Sequence, residues 1–243
     1  MRYHRRMTGL DTHAFGAEAN EQPSGAPRLV LASQSPRRRR LLSWLGLPFS
    51  ASAVDTPEDL DSPLASDPPA LAESLAAEKA EAACAQGLGD RALVLCFDTI
   101  VVLGAEVLGK PTDVPDAWRM LRALSGRTHQ VVSGVALLRG IEDRLSLLDR
   151  LEPGPAYDVA GRLRVECAIT DVTFLPLDEA DIDAYVASGE WRGKAGPYAI
   201  QGLAGLLVSR VGGEYSNVVG LPLCLLAGMF RDLGFDILRR SWS

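Results

Sequence analysis

The sequence lacks several features that would indicate a membrane, secreted or metal-cluster protein. No stretch of its 243 residues approaches the roughly 20 uninterrupted apolar residues that a membrane-spanning helix needs. The basic N-terminus is not followed by the apolar core of a signal peptide. The four cysteines include no Cys-x-x-Cys pair, which argues against a zinc site or a redox dithiol. We therefore expect a cytoplasmic protein with no membrane partner and with buried, free thiols.

Lysine is scarce, because only Lys79, Lys110 and Lys194 accompany the arginines among the 25 basic residues. The net charge of −6 disfavours a nucleic-acid partner, since phosphate backbones require a broad positive surface. An anionic ligand must therefore meet a local group of cations. We interpret the three lysines as ligand-binding. The alternative is that they are solvated surface residues.

The composition predicts one globular α/β domain, with 47% apolar and 23% charged residues. Residues 1–27 show no apolar periodicity and are predicted to form a disordered leader. The domain would then span residues 28–243. Alternating stretches at 128–138 and 163–175 predict an antiparallel strand pair. The segment between them, about residues 140–162, is interpreted as an excursion from the domain.

Four consecutive arginines begin the first predicted helix. Ser35 is its expected N-cap and Pro36 its first helical residue. Arg37–Arg40 then occupy the first turn, where the helix dipole disfavours cations unless an anion binds there. Helical geometry spreads the four side chains around the axis, so at most two can reach one ligand. We assign this contact to Arg37 and Arg38; a solvated basic turn is the alternative.

A carboxylate directly follows an apolar run in the middle of the chain. Residues 93–97 are continuously apolar, which predicts a buried strand, and Asp98 comes next. A buried carboxylate costs free energy unless it is compensated. Ligands of open α/β sheets collect beyond the carboxyl ends of strands. Asp98 at this strand end is therefore predicted to be a general base or a metal ligand, with a structural aspartate as the alternative.

Several motifs occur in an order and spacing that resemble the Maf family over about residues 29–233. They are Ser33-Gln34-Ser35-Pro36-Arg37-Arg38, Asp98-Thr99, Gly109-Lys110-Pro111, Lys194-Ala195-Gly196 with Gln201-Gly202, His129-Gln130-Val131, and Tyr215 to Pro222. The resemblance implies a mixed α/β fold, with a curved central sheet and flanking helices. It also implies two lobes around a cleft, as in inosine triphosphate pyrophosphatases.

The resemblance further implies hydrolysis of a nucleoside triphosphate to the monophosphate and pyrophosphate, with Mg²⁺ or Mn²⁺, and a homodimer. Asp98 would be the proton acceptor or a metal ligand. The resemblance and the expectation of a local group of cations together predict the phosphate-binding residues. They are Ser33, Arg37, Arg38, Lys79, Lys110 and Lys194.

The Asp-Thr and Gln-Gly motifs resemble the family branch that prefers dTTP and UTP. Arg37, Thr99 and Gln201 are accordingly the predicted specificity positions. Two alternatives stay open at this point. One is a pyrophosphatase for 7-methyl-GTP or another modified nucleotide, and the other is a catalytically weak nucleotide-binding regulator of cell division.

The sequence departs from the family pattern at two places. Phe97 replaces the small residue that commonly precedes the aspartate, and the usual Asp-Glu pair after the second strand reads Asp55-Thr56. A missing carboxylate would remove a metal ligand. Glu58 is the predicted substitute as a second metal ligand beside Asp98.

Overall fold

The computed structural model describes residues 28–54, 56–57, 59–60, 62–88, 92–139 and 163–242. The predicted leader at 1–27, the excursion at 140–162 and the candidate metal ligand Glu58 lie outside the described residues. Within the described part, no helix has the length and apolar character needed to span a membrane.

The described chain contains both strands and helices. They are β1 (Leu29–Ala32), α1 (Pro36–Ser43), β2 (Phe49–Ser52), α2 (Pro68–Ala85), β3 (Leu93–Leu103), β4 (Glu106–Leu108), α3 (Val114–Leu124), β5 (Thr128–Arg139), β6 (Leu163–Phe174), α4 (Glu179–Ser188), β7 (Val208–Gly212), α5 (Tyr215–Val219), α6 (Leu223–Asp232), β8 (Phe235–Asp236) and β9 (Ser241–Trp242). Short 3₁₀ turns add Pro63–Ser66 and Leu203–Leu206.

Seven strands form one mixed sheet in the order β2-β1-β3-β5-β6-β7, and β4 also pairs with β3. The β1 strand runs parallel to both β2 and β3. The remaining pairings, β3 with β4 and β5, β5 with β6, and β6 with β7, are antiparallel. The predicted mixed α/β class is therefore confirmed, as is the antiparallel pair formed by β5 and β6.

Side-chain oxygens cap the starts of several helices. Ser35 accepts a hydrogen bond from the backbone N–H of Arg38 at the start of α1. Asp113 accepts one from Asp116 at 2.8 Å, and Asp178 caps α4 in a capping box. Each cap satisfies a backbone donor that the first helical turn would otherwise leave unpaired.

The two faces of β3 meet different helices, because successive strand residues point in opposite directions. Val94 and Cys96 share a buried cluster with alanines of α2. Leu95 and Phe97 belong to the larger core, which includes α1, α3, α4 and α6. By this alternation Asp98 projects towards α2, whereas Thr99 projects towards the opposite face.

Helix α2 lies very close to the sheet at the level of Asp98. Gly134 of β5 pairs with Asp98 in the strand register. A Cβ atom at this position would collide with the backbone carbonyl of Ala72 on α2. The missing side chain thus allows the close approach that brings α2 to the carboxylate.

Asp98 does not lie at the end of its strand, so that part of the sequence prediction is wrong. Strand β3 continues to Leu103 because β5 pairs with it from Leu93 to Val102. On the other edge, β1 pairs with Leu93 to Leu95 and β4 with Val101 to Leu103. Asp98 therefore lies in the gap between these two partners, beyond the carboxyl end of β1.

The cysteines are free thiols, but the expectation that they are buried holds only for Cys96. Cys84 and Cys224 are exposed, and Cys167 is half-buried. Cys84 lies on α2 and Cys224 in the first turn of α6. Their exposure depends on which side of each helix faces solvent, which the apolar character of cysteine does not predict.

Candidate active site

A cavity of about 390 Å³ opens where β1 ends beside the middle of β3. The start of α1, the segment 193–201 and the α5–α6 connection complete its wall. Nine predicted site residues line it, namely Ser33, Arg37, Arg38, Lys79, Asp98, Thr99, Lys110, Lys194 and Gln201. The fold therefore brings together residues that are separated by as much as 168 positions in the sequence.

A buried ion pair joins Lys79 of α2 to Asp98 of β3. Only 9% of Lys79 and 3% of Asp98 is exposed to solvent. The ammonium compensates a carboxylate that would otherwise be strongly disfavoured in the interior. Breaking a buried pair by removal of one partner costs about 3–5 kcal/mol in comparable cases.

Arg37 and Lys194 place positive charge at the same side of the cavity. Partial burial lowers the pKa of Arg37. Burial also lowers the pKa of Lys194, and the neighbouring Arg37 charge lowers it further. Because both cations are disfavoured here, an anion between them would be stabilised.

A backbone hydrogen bond holds the two lysine-bearing loops together. The N–H of Gly196 donates to the carbonyl of Gly109 at 3.0 Å. Gly196 has a φ of +66°, and a Cβ atom there would meet the side chain of Val101. This close contact fixes Lys110 and Lys194 on the same side of the cavity.

Arg38 connects three elements across the cavity floor. Its Nε donates to the carbonyl of Gly220 at 2.7 Å, and its Nη2 donates to Thr99 Oγ1 at 3.1 Å. The guanidinium also lies over the ring of Phe97, 5.8 Å from the ring centroid. Phe97, the first departure from the family pattern, thus packs beneath this arginine and is itself fully buried.

Thr99 belongs to a hydroxyl pair that sequence reasoning missed. Its Oγ1 lies 2.9 Å from the Oγ of Ser133, its register partner on β5. Ser133 is completely buried. Sequence periodicity could place Ser133 on β5, but its partner follows only from the strand register.

An aromatic cluster supports the segment that carries Lys194 and Gln201. His129 Nε2 lies 2.8 Å from the Tyr198 hydroxyl, and both rings pack edge-to-face with Phe174. Burial lowers the pKa of His129 to about 4 and raises the pKa of Tyr198. The imidazole is therefore neutral near pH 7 and ties this segment to β5.

The described side chains suit a metal ion that is coordinated jointly by the protein and by the substrate. Among the described residues, no group of three His, Cys, Asp or Glu side chains could enclose a metal. Asp98 is the one carboxylate in the described lining, where Ser33 adds a hydroxyl. Mg²⁺ commonly binds one or two carboxylates together with substrate phosphates. The lining thus fits such an ion better than a zinc site, which needs three or four protein ligands.

Comparison with known proteins assigns the chain to a family. A family model described as Maf-like protein matches residues 28–233. The chain belongs to the Maf family. The matched range contains the whole described cavity lining and the Lys79–Asp98 pair, so the family predicted from the motifs is confirmed.

Curated relatives resemble this Maf chain over nearly their full length. A dTTP/UTP pyrophosphatase of Anaeromyxobacter dehalogenans (strain 2CP-C) is 46% identical over 213 residues, which cover 87% of this chain and 97% of the relative. A dTTP/UTP pyrophosphatase of Geobacter sulfurreducens is 43% identical over 208 residues, covering 85% and 97%. A third, of Chromobacterium violaceum, is 41% identical and covers 86% and 96%.

Proposed function

We propose that this protein hydrolyses nucleoside triphosphates, dTTP and UTP foremost, to the monophosphate and pyrophosphate. The observation that carries the proposal is the buried Lys79–Asp98 pair in the wall of a cavity lined by further cations. Membership of the Maf family and the names of its relatives support the same reaction.

The cation set suits a triphosphate. A nucleoside triphosphate carries about four negative charges, and phosphate oxygens accept strong charge-assisted hydrogen bonds. Arg37, Lys110 and Lys194 would contact the phosphates from one side, and Ser33 would add a hydroxyl. Cleavage between two phosphates depends mainly on such positioning and charge stabilisation. The cavity supplies both without a covalent intermediate.

Asp98 would accept the proton of the attacking water. Among the described residues that line the cavity, Asp98 is the one carboxylate, and its ion pair with Lys79 holds it in one orientation. A proton acceptor must lie within hydrogen-bond reach of the water, and a fixed carboxylate at the cavity wall meets that requirement. Lys79 would in turn compensate charge on the carboxylate and the phosphates.

We expect a divalent cation, Mg²⁺ or Mn²⁺, to complete the site. Asp98 and the substrate phosphates would hold it, with Glu58 as a predicted second carboxylate. When bound, such a cation neutralises phosphate charge and lowers the pKa of a bound water. The protein residues would still bind, orient and surround the substrate.

A panel of nucleotides tests the proposed activity. Pyrophosphate release should be measured with dTTP, UTP, CTP, GTP and 7-methyl-GTP. We expect dTTP and UTP to be the best substrates. A strong preference for 7-methyl-GTP would contradict the roles of Thr99 and Gln201 and favour the modified-nucleotide alternative.

The Asp98→Asn variant separates catalysis from binding. It should retain nucleotide affinity, because the side chain keeps its size, but lose turnover by several orders of magnitude. Asp113→Asn is the matched control, since asparagine caps a helix as well as aspartate does. Unchanged turnover in Asp98→Asn would rule out the proton-acceptor role. Nucleotide binding without turnover in the wild type would favour the regulator.

A homodimer and a cytoplasmic location remain predictions. The first can be checked by light scattering of the purified chain and the second by fractionation of cells.

A further inference from the structure

Three polar side chains form a connected chain of hydrogen bonds beside the cavity. Arg38 Nη2 donates to Thr99 Oγ1 at 3.1 Å, and Thr99 Oγ1 lies 2.9 Å from Ser133 Oγ. Of the three, Ser133 is completely buried, whereas Arg38 and Thr99 line the cavity. The direction of each hydrogen bond decides what Thr99 can offer to a ligand.

Arg38 can only donate, because a guanidinium has no acceptor. A second bond, from Nε to the Gly220 carbonyl at 2.7 Å, fixes its orientation. One lone pair of the Thr99 hydroxyl is therefore always occupied by Arg38.

Ser133 occupies the second lone pair of Thr99. In the part of the chain that the structure describes, Thr99 is the only partner of the Ser133 hydroxyl. If Thr99 donated to Ser133, the Ser133 hydrogen would remain buried without an acceptor, which is unfavourable. Ser133 therefore donates, and both lone pairs of Thr99 are filled. The Thr99 hydrogen is left to point into the cavity.

We propose that Ser133 and Arg38 are positioning residues that make Thr99 an obligatory hydrogen-bond donor to the 4-carbonyl oxygen of a uracil or thymine ring. This inference rests on the proposed function and explains a preference that the function alone does not. A cytosine ring carries an amino group at the same place, which is itself a donor. Two donors that face each other cannot form a hydrogen bond, so cytosine nucleotides are disfavoured.

Apolar side chains in the same cavity offer a surface on which the faces of a ring could pack. Val131, Tyr198 and Val218 line the same cavity as Thr99. Gly220 places no side chain beside the pair; a Cβ atom there would lie in ordinary van der Waals contact, 3.6 Å from both Arg38 Nε and Thr99 Oγ1. A flat ring that packs by its faces and presents a carbonyl acceptor at its edge fits this wall.

The test compares the two nucleotides on one enzyme preparation. The ratio of kcat/KM for UTP to that for CTP should be measured for the wild type, Ser133→Ala and Ser133→Thr. In Ser133→Ala a lone pair of Thr99 is freed and can accept from the cytosine amino group. We expect the ratio to fall about tenfold, mainly through a lower KM for CTP. Ser133→Thr keeps the hydroxyl and should stay within about twofold of the wild type.

The pattern of change distinguishes this role from a structural one. Damage to the fold would lower turnover of both nucleotides and leave their ratio unchanged. The proposal is overturned if the wild type does not discriminate UTP from CTP, or if the ratio in Ser133→Ala is unchanged. It is also overturned if the ratio falls only through loss of UTP turnover.

A binding measurement keeps the inference separate from the proposed activity. Calorimetry with α,β-imido-UTP and α,β-imido-CTP reports the same preference without hydrolysis. If no triphosphate is hydrolysed, the proposed function fails, while an intact preference for the uracil analogue that Ser133→Ala abolishes still supports the inference. Equal binding of the two analogues by the wild type contradicts it.

Discussion

Arg37 and Arg40 differ in their surroundings although they belong to the same helical turn. Arg37 is half-buried and lines the cavity, whereas Arg40 is exposed. We expect Arg37→Ala to lower kcat/KM by about 10- to 100-fold, the effect of losing a charged hydrogen bond. Arg40→Ala should stay within about twofold of the wild type, since isolated surface charges contribute little. Steady-state kinetics would check both, and equal losses would show that the cluster acts through general charge.

Lys194 should limit activity at alkaline pH. Burial, and then the Arg37 charge, lower its pKa below the ordinary lysine value. As the pH rises, Lys194 loses its proton earlier than an exposed lysine, so phosphate binding weakens. The kcat/KM profile should therefore decline on the alkaline side. Lys194→Arg, whose guanidinium stays charged, should move this decline to higher pH. An unmoved alkaline limb would exclude Lys194 as the titrating group.

Residue types, spacing and the resemblance to the family were together sufficient to identify nine members of the cavity lining. They could not reveal what Arg38 bonds, because its partners Thr99 and Gly220 lie 61 and 182 residues away along the chain. The hydrogen bonds of Arg38 to Thr99 and Gly220 compete with its predicted phosphate-binding role, which stays a prediction. The pairing of Ser133 with Thr99 likewise depends on a register that only the folded sheet defines.

At the scale of elements, the contact between β5 and segment 194–201 depends on a neutral histidine. Burial lowers the pKa of His129 to about 4, from an ordinary value of 6.5. Between these two pH values the unfolded chain binds more protons than the folded one, so the free energy of unfolding falls as the pH is lowered. The full shift of the His129 pKa corresponds to a change of about 3 kcal/mol in the free energy of unfolding.

Urea unfolding between pH 4 and 7 would measure this dependence. His129→Gln removes the titrating group while retaining a polar side chain, so its stability should vary less with pH than that of the wild type. Parallel curves for the two proteins would show that His129 does not contribute. The contribution of His129 to the free energy of unfolding should be complete above about pH 6.5 and should be lost as the pH falls to about 4.

Long or clearly capped elements could be predicted from the sequence, and short ones could not. Helix α3 begins after its Asp113 cap and ends at Leu124, and an aspartate cap of this kind is recognisable in a sequence. The five-residue elements β7 and α5 carry too few residues to show a period. Strand β3 was predicted too short because its apolar run stops at Asp98, whereas pairing with β5 extends the strand to Leu103.

At the scale of the whole molecule, the functional unit should begin at residue 28. The family match starts there, and the described cavity lining lies within residues 32–220. Deletion of residues 1–27 should leave kcat/KM for UTP within about twofold and the thermal midpoint nearly unchanged, because a sequence without apolar periodicity is not expected to add to the core. A large loss of turnover would show that the leader contributes to the site.

The alternation of side chains along β3 has a consequence for how this enzyme can change. Asp98 and Thr99 are adjacent in the chain, yet one projects towards α2 and the other towards Arg38 and α5. With the roles proposed above, catalysis and base selection would lie on opposite faces of a single strand. Substitutions around Ser133 would then change the choice of nucleotide without altering the surroundings of Asp98, so new substrates would be accessible in small, independently selectable steps.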